Sequence, residues 1–275
     1  MLPTFIVIGA SKCGTTSLWH YLASHPEVCV SRTKEPSFFV EELNWHRGFD
    51  WYERQFDPQG GALAIGECSG FYTRYPRFRG VPERIAAAVP DARLVYLVRD
   101  PIERMLSNYL HRVRVFKASD PVDVALRADP DYLNTSRYAF QVERYLEHFA
   151  EDQLLVVVSE RLRDEPAPTL RKILAFLGVD PTWAVPNAND RHNVGGGAPY
   201  RTHTLHRVRR SHAMRRLVPR LPAGVRSVAR TALQSPVPDA TISPELEHEL
   251  RDVLREDVRR LYRYVDGPFD GWGIA

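Results

Sequence analysis

The sequence predicts an α/β fold in which helices flank one doubly wound parallel sheet. Short apolar runs rich in β-branched residues alternate with segments of helical periodicity, which is the order expected of βαβ units. The runs show no polar alternation, so both faces of the sheet should be covered. With 275 residues, 44% of them hydrophobic and 26% charged, the chain can bury the core of a single domain, predicted to span residues 1–275.

Predicted strands and helices are distributed along the chain. Four apolar runs qualify as strands, at residues 5–8, 63–65, 93–98 and 154–158. Apolar residues recur at helical spacing elsewhere, which predicts helices at residues 15–23, 82–89, 101–115, 138–149, 166–177 and 244–264. Gly178 ends the fifth helix, and the last helix carries on one face Leu246, Leu250, Val253, Leu254, Val258 and Leu261.

Cysteine usage and the lack of long apolar runs indicate a cytoplasmic protein. Cys13, Cys29 and Cys68 are odd in number and lack the spacing of metal ligands, which favours reduced thiols. No run approaches the roughly 20 apolar residues that span a bilayer, so no transmembrane segment is predicted. The first residues lack the charged start of a signal peptide, and the net charge of +3 is small.

A loop with the sequence GASKCGTTS, residues 9–17, joins the first predicted strand to the first helix. Gly9 and Gly14 permit a tight turn, and the amides of the loop and of the first helical turn form a nest for an anion. Nucleoside-triphosphate P-loops carry lysine directly after the second glycine, but here Thr15 holds that position and Lys12 lies inside the loop. Because only four of the 37 basic residues are lysines, this placement favours a phosphate ligand over a plain strand–turn–helix junction.

A second anion site is predicted where the third strand ends, in the sequence LVYLVRDPIERMLS. Asp100 suits the N-cap of the following helix, Pro101 suits its first position, and Glu103 completes a pattern that resembles a capping box. These residues explain the helix start and leave Arg99 at the strand end without a packing role. Arg99 and the hydroxyl of Ser107, two turns into the helix, together suit a terminal phosphate; a solvated surface arginine is the alternative.

The two loops resemble the nucleotide signatures of sulfotransferases that use 3′-phosphoadenosine 5′-phosphosulfate (PAPS). In that family the first loop binds the 5′-phosphosulfate, and the arginine and serine bind the 3′-phosphate. The likeness continues through KEPSFF at 34–39, GECSGFY at 66–72, VPER at 81–84, FLG at 176–178 and GW at 271–272, and it is nearest to the heparan-sulfate-type branch. The resemblance implies a P-loop-like sheet and donor contacts at Ser11, Lys12, Cys13, Gly14, Thr15, Thr16, Ser17, Arg99 and Ser107.

Catalytic roles follow from the same resemblance. In the heparan-sulfate-type enzymes a glutamate before a Phe-Phe pair is the base, and Glu35 matches it; the alternative is a carboxylate that only pairs with a neighbouring cation. Lys34 beside it could act on the ionisation of this carboxylate or contact the donor. Glu67 is the second candidate, although related enzymes often carry lysine after this glutamate, where this chain has Cys68. Lys12 is predicted to stabilise negative charge on the leaving phosphate oxygen.

A turn-rich loop and an arginine-rich stretch lie between residues 193 and 230. The loop ends in Tyr200 and Arg201, which the resemblance suggests as further donor contacts. Nine arginines and no acidic residue occupy 201–230, and a helical insertion or lid is predicted over 201–235. The stretch is either a solvated face or a docking surface for an anionic partner, such as an acidic substrate or a carrier protein. Nucleic acid fits less well, because no aromatic residues are interleaved for stacking.

The resemblance implies a sulfotransferase that moves the sulfuryl group of PAPS to an acceptor by in-line displacement with a glutamate base. The acceptor is expected to be a hydroxyl, less so an amine, of a small molecule such as a natural product, a lipid or a saccharide. No metal is expected, since ligand spacing is absent and His20, His25 and His111 are predicted to be surface or packing residues. Two alternatives stay open: a P-loop kinase or NTPase on the same core, and a non-enzymatic basic module that binds anionic polymers.

Overall fold

Five strands form one parallel sheet in the computed structural model, which describes residues 1–58, 60–116, 120–184, 200–201, 234–235 and 240–275. The strands are β1 (Phe5–Gly9), β2 (Val28–Val30), β3 (Ala64–Cys68), β4 (Arg93–Val98) and β5 (Leu154–Val158). Their spatial order is β2-β3-β1-β4-β5, so the chain builds one side of β1 first and then crosses to the other. This confirms the predicted doubly wound parallel sheet.

Both faces of the central strands are covered. Every residue of β1 and β3 is buried, as are the five residues that follow Arg93 in β4. Because successive side chains of a strand point to opposite faces, such burial requires packing on both sides. Gly66 pairs with Phe5, and a Cβ at this glycine would lie 2.4 Å from the Phe5 carbonyl oxygen. The close approach of β1 and β3 therefore excludes a side chain at position 66.

Helices flank the sheet and join its strands. Those before β5 are α1 (Thr15–Ala23), α2 (Gly48–Glu53), α3 (Val81–Ala88), α4 (Pro101–Phe116), α5 (Val122–Ala128), α6 (Asp131–Ser136) and α7 (Tyr138–Leu146). After β5 come α8 (Ser159–Asp164), α9 (Pro166–Leu177) and, near the end of the chain, α10 (Pro244–Leu261). Helix α1 packs against β2 and β3, and α9 packs against β4 and β5.

A second apolar cluster lies between α4, α5, α6 and α10. Helix α10 begins where the Ser243 side chain accepts a hydrogen bond of 3.3 Å from the Leu246 amide, with Pro244 in the first turn. The predicted apolar stripe of α10 is buried with one exception, since Val253 is 56% exposed. The prediction for Val253 is wrong because this residue lies at the edge of the stripe, where the helix meets solvent.

The predicted insertion over 201–235 lies almost wholly outside the described residues. Around it the structure describes only the backbone of two short strands, β6 (Tyr200–Arg201) and β7 (Gln234–Ser235), which pair antiparallel. The predicted donor contacts of the Tyr200 and Arg201 side chains, and the role of the arginine-rich stretch, therefore remain predictions. None of the described helices is both long and apolar enough to cross a bilayer.

Candidate active site

The loops that follow four adjacent parallel strands lie at one edge of the sheet. The loop after β1 carries Lys12 and the loop after β4 carries Arg99, while the loops after β2 and β3 carry Glu35 and Ser69. Since β1 lies between β3 and β4, and β2 lies beside β3, loops distant in the chain become neighbours in space. The strand order reverses beside β1, which is where ligands bind in doubly wound sheets.

The loop between β1 and α1, residues 10–14, has the backbone of an anion-binding turn. Lys12 and Gly14 both adopt left-handed conformations, with φ of 75° and 87°. Gly14 is the N-cap of α1 and supplies no side-chain cap, so the first amides of the helix are left to another acceptor. A Cβ at Gly14 would lie 3.1 Å from the Ser159 hydroxyl, which leaves little room for a larger residue.

The side chains of Ser11 and Cys13 in this loop have partners within the protein. The Ser11 hydroxyl donates to the Gly70 carbonyl oxygen at 2.8 Å. Cys13 is fully buried, with its Sγ 3.7 Å from the Tyr138 hydroxyl, and burial raises the pKa of the thiol to about 11. The Cys13 amide also has a partner, since it donates to the Ala10 carbonyl oxygen at 3.1 Å. The donor contacts predicted for Ser11 and Cys13 remain predictions. Thr15 is buried at the start of α1.

Lys12 is partly buried and surrounded mainly by other cations. Burial lowers the pKa of its ammonium group, and the charges of Arg114, Lys34 and Arg99 act in the same direction, whereas Glu35 opposes them. Among the described residues, Lys12 has no carboxylate within ion-pair distance, because Glu35 pairs with Lys34 instead. A partly buried ammonium group without a counter-ion has the electrostatic character of an anion receptor.

Arg99 reaches back to the β1–α1 loop. Its Nη1 donates to the carbonyl oxygen of Lys12 at 3.3 Å, so the structure brings the two predicted anion sites together. The Nη2 of Arg99 binds the carboxylate of Glu103, one turn into α4. Ser107 lies one turn beyond Glu103 on the same face of α4, as the predicted arginine–hydroxyl pair requires.

The start of α4 differs from the predicted capping box in one respect. Asp100 is the N-cap as predicted, because its Oδ1 accepts hydrogen bonds from the amides of Ile102 and Glu103 at 2.8 and 3.0 Å. The reciprocal bond comes from α8, where Glu160 Oε1 accepts from the Asp100 amide at 2.9 Å. The prediction that Glu103 completes the box is wrong, and its carboxylate is free to pair with Arg99.

The same face of α4 brings two further side chains to the site, His111 and Arg114. Partial desolvation lowers the pKa of His111, and the charge of Lys12 adds to this effect while Glu35 opposes it. The Nε and Nη2 atoms of Arg114 are buried and have no hydrogen-bond partner among the residues that the structure describes. His111 is exposed, as predicted for a surface residue, and it lies in the electrostatic field of Lys12 and Glu35. Helical spacing from Ser107 is the signal that could have identified both residues.

Glu35 lies at the open side of the site. Its Oε1 accepts from Lys34 Nζ at 2.5 Å, and its side chain is 37% exposed. Its amide donates to the Cys68 carbonyl oxygen at 3.1 Å, which ties the loop after β2 to the end of β3. The charge of Glu35 acts on both Lys12 and His111, so the carboxylate is within reach of the cation cluster.

Glu67, the second candidate for a base, is enclosed. It is fully buried and accepts hydrogen bonds from the hydroxyls of Tyr52, Ser69 and Tyr72 at 2.5, 2.5 and 2.7 Å. Burial raises the pKa of Glu67 to about 7, although the three hydroxyls oppose this shift. A carboxylate with both oxygens engaged and no exposed surface cannot contact an acceptor, so the geometry argues against Glu67 as the base.

Comparison with known proteins gives a consistent assignment. The model of a family described as the sulfotransferase domain matches residues 2–193. The bifunctional heparan sulfate N-deacetylase/N-sulfotransferase 4 of Mus musculus is 31% identical over 201 residues, covering 66% of this chain and 23% of that protein. The heparan sulfate glucosamine 3-O-sulfotransferase 3B1 of the same organism is 31% identical over 194 residues, covering 65% of this chain and 46% of that protein. The chain thus spans less than half the length of either relative.

A solved structure extends the likeness to nearly the whole chain. The crystal structure of a sulfotransferase from Alicyclobacillus acidocaldarius superimposes with a TM-score of 0.72 at 27% identity, covering 99% of both chains. The family match includes Lys12, Glu35, Glu67 and Arg99. It ends before Tyr200 and Arg201.

Proposed function

Because the chain belongs to the sulfotransferase domain family, whose members use PAPS, we propose that it transfers the sulfuryl group of PAPS to a hydroxyl of a saccharide. The two mouse relatives are an N-sulfotransferase and a 3-O-sulfotransferase, so an amine acceptor is the alternative to a hydroxyl. Both relatives are named for heparan sulfate, which supports a saccharide over a lipid.

An excess of positive charge around the β1–α1 loop carries this proposal. The cations outnumber the carboxylates in the cluster formed by Lys12, Lys34, Arg99, Arg114, Glu35 and Glu103. Glu35 and Glu103 each pair with one cation, which leaves Lys12 and Arg114 without an ion-pair partner among the described residues. Partly buried cations of this kind need an anion, and the phosphates and sulfonate of PAPS supply several negative charges.

Each end of the nucleotide has its own set of residues in this proposal. Lys12 and the amides at the start of α1, which the N-cap residue Gly14 does not cap with a side chain, would hold the 5′-phosphosulfate. Arg99 and Ser107 would hold the 3′-phosphate. Glu103 is 59% exposed, so its carboxylate can turn to solvent when a phosphate replaces it as the partner of Arg99.

Glu35 and Lys12 would divide the chemistry of transfer between them. Glu35 accepts the proton of the acceptor hydroxyl as its oxygen forms a bond to sulfur. Lys12 stabilises the negative charge that develops on the phosphate oxygen as the bond between that oxygen and sulfur breaks. PAPS supplies the activated sulfuryl group, and the protein supplies alignment of the acceptor with the leaving oxygen.

Two nitrogens of the Arg114 guanidinium, which have no hydrogen-bond partner among the described residues, support an acidic saccharide. Helical geometry places Arg114 about 10 Å along α4 from Ser107, and therefore away from the 3′-phosphate. Its charge nevertheless acts on Lys12 and His111, which supports a position near the proposed reacting groups. A carboxylate or sulfate of the acceptor would supply partners for these two nitrogens.

Donor-dependent sulfation of an acidic oligosaccharide is the test of this function. The protein is incubated with PAPS and oligosaccharides with or without uronic acids, in the presence of EDTA, and products are analysed by mass spectrometry. We expect a gain of about 80 Da, the mass of one sulfuryl group, on the acidic oligosaccharides, with release of adenosine 3′,5′-bisphosphate. Because a phosphoryl group has nearly the same mass, a parallel incubation uses ATP and Mg²⁺. Product from ATP and none from PAPS would favour the kinase alternative.

A further inference from the structure

The buried carboxylate of Glu67 is connected to the loop that carries Glu35 through two hydroxyl groups. Ser69 Oγ donates to Glu67 Oε2 at 2.5 Å and accepts from the Ser37 amide at 2.9 Å. The Tyr72 hydroxyl donates to Glu67 Oε1 at 2.7 Å and accepts from the Phe39 amide at 3.4 Å. Two relays thus run from a single carboxylate to two amides of the loop after β2.

That loop has a backbone which needs external support. Glu35 and Ser37 are not glycines, yet their φ angles are 60° and 47°, in the left-handed region that side chains disfavour. Such conformations persist when surrounding contacts over-determine them. The Ser37 amide, whose acceptor is the Ser69 hydroxyl, lies within this strained segment and is buried.

The turn after β3 also contacts β1 and the loop that follows it. The Ser69 amide donates to the Val7 carbonyl oxygen at 3.0 Å, and the next residue, Gly70, accepts from the Ser11 hydroxyl at 2.8 Å. A Cβ at Gly70 would lie 3.1 Å from Ser11 Cα, so the two loops approach closely here. One turn therefore holds the Glu35 loop on one side and the Lys12 loop on the other.

We propose that Glu67 is a positioning residue, which through Ser69 and Tyr72 fixes the Glu35 carboxylate relative to the Lys12 loop. This inference rests on the proposed function, in which Glu35 is the base. It gives the enclosed carboxylate a role in catalysis without contact to the acceptor. A general base contributes fully only when it is held at hydrogen-bond distance from the proton that it takes.

The chain offers a matched pair of variants. Ser69→Ala removes a hydroxyl that donates to Glu67 and also supports the Ser37 amide. Tyr52→Phe removes another hydroxyl that donates to Glu67, but none of the described loop amides depends on it, and its ring stacking on Phe38 at 4.3 Å is kept. We expect Ser69→Ala to lower kcat by about 10-fold with little change in KM for PAPS, and Tyr52→Phe to change kcat by less than about 2-fold.

Coupling to the base distinguishes positioning from a general loss of structure. If Ser69 acts through Glu35, the double variant Ser69→Ala/Glu35→Gln should have the same kcat as Glu35→Gln alone, because the base is already lost. Ser69→Thr, which keeps the hydroxyl, should restore most of the activity. Equal losses in Ser69→Ala and Tyr52→Phe, or multiplicative losses in the double variant, would overturn the inference.

Two further measurements complete the test: thermal denaturation of each variant, which shows whether it is folded at the assay temperature, and turnover of the wild-type protein. Should Ser69→Ala fail to fold at the assay temperature, Tyr72→Phe replaces it, because the Tyr72 hydroxyl supports the Phe39 amide. If the kcat of Tyr72→Phe is then no lower than that of Tyr52→Phe, the result counts against the relay. Absence of PAPS-dependent turnover in the wild-type protein speaks against the proposed function. Wild-type turnover that Ser69→Ala leaves unchanged speaks against the relay alone.

Discussion

Replacing Lys12 by alanine is expected to lower kcat/KM for PAPS-dependent transfer by about 10³-fold. The ammonium group is the partly buried cation of the β1–α1 loop that lacks a counter-ion among the described residues. Its removal takes away both a ligand of the donor and the charge that balances the leaving oxygen. Lysine and alanine both carry a Cβ, so the left-handed backbone at position 12 is equally strained in the two proteins. Steady-state kinetics with varied PAPS measures the loss.

A second lysine provides the control for this substitution. Lys172 pairs with Asp266 at the surface of α9, and Lys172→Ala should leave kcat/KM within about 2-fold of the wild-type value. An equal loss in both variants would point to a general effect of removing positive charge. A Lys12→Ala protein with wild-type kinetics would remove Lys12 from the reaction.

Replacing Glu35 by glutamine is expected to lower kcat by about 10²- to 10⁴-fold, while binding of adenosine 3′,5′-bisphosphate changes by less than about 3-fold. Glutamine keeps the size of the side chain and an oxygen that can accept from Lys34, but it cannot take a proton from the acceptor. The backbone contact of position 35 with Cys68 does not involve the side chain and is retained. The separation of kcat from donor affinity identifies a base.

Glu41→Gln is the matched control for Glu35→Gln. Glu41 is 70% exposed and pairs with Arg84, so its amide variant should keep wild-type kcat. If Glu35→Gln also keeps wild-type kcat, another group takes the proton. His111 would then be the next candidate, because its lowered pKa favours the neutral ring at physiological pH.

Local signals in the sequence were sufficient to predict the boundaries of elements that begin or end at a capping or helix-breaking residue. Asp100 and Pro101 set the start of α4, and Gly178, with φ of 76°, ends α9 at the predicted residue. The long apolar run of β4 has the predicted bounds as well. In each case the residues that determine the boundary are adjacent in the chain.

Elements that depend on tertiary contacts were not predicted. Strand β2 has only three residues, and just one of them is buried, so its pattern carries little periodicity. Helices α2, α5, α6 and α8 have six or seven residues and were missed for the same reason. Short segments of this kind are stabilised by packing more than by their own propensity.

In the candidate site, too, the features set by local sequence were predicted and those set by tertiary contacts were not. Lys12 and Arg99 stood out by residue type at strand ends, and the structure brings them together through the contact between Arg99 and the Lys12 carbonyl oxygen. The enclosure of Glu67 could not be predicted, because Tyr52 belongs to a helix that the sequence did not reveal. The partner of Glu103 could not be predicted either. The Asp100 amide, which Glu103 was expected to bind, is bound by Glu160, and Glu160 lies 60 residues from Asp100 in the chain.

The most direct measurement is the affinity of the protein for adenosine 3′,5′-bisphosphate compared with adenosine 5′-monophosphate. Both ligands are titrated calorimetrically into the wild-type protein, Arg99→Ala and, as control, Arg93→Ala, which alters an exposed arginine at the opposite end of β4. The account predicts that the wild-type and Arg93→Ala proteins prefer the bisphosphate by about 100-fold, and that Arg99→Ala loses most of this preference. Equal affinity of the wild-type protein for both nucleotides, or no binding of either, would contradict a site that holds one nucleotide between Lys12 and Arg99.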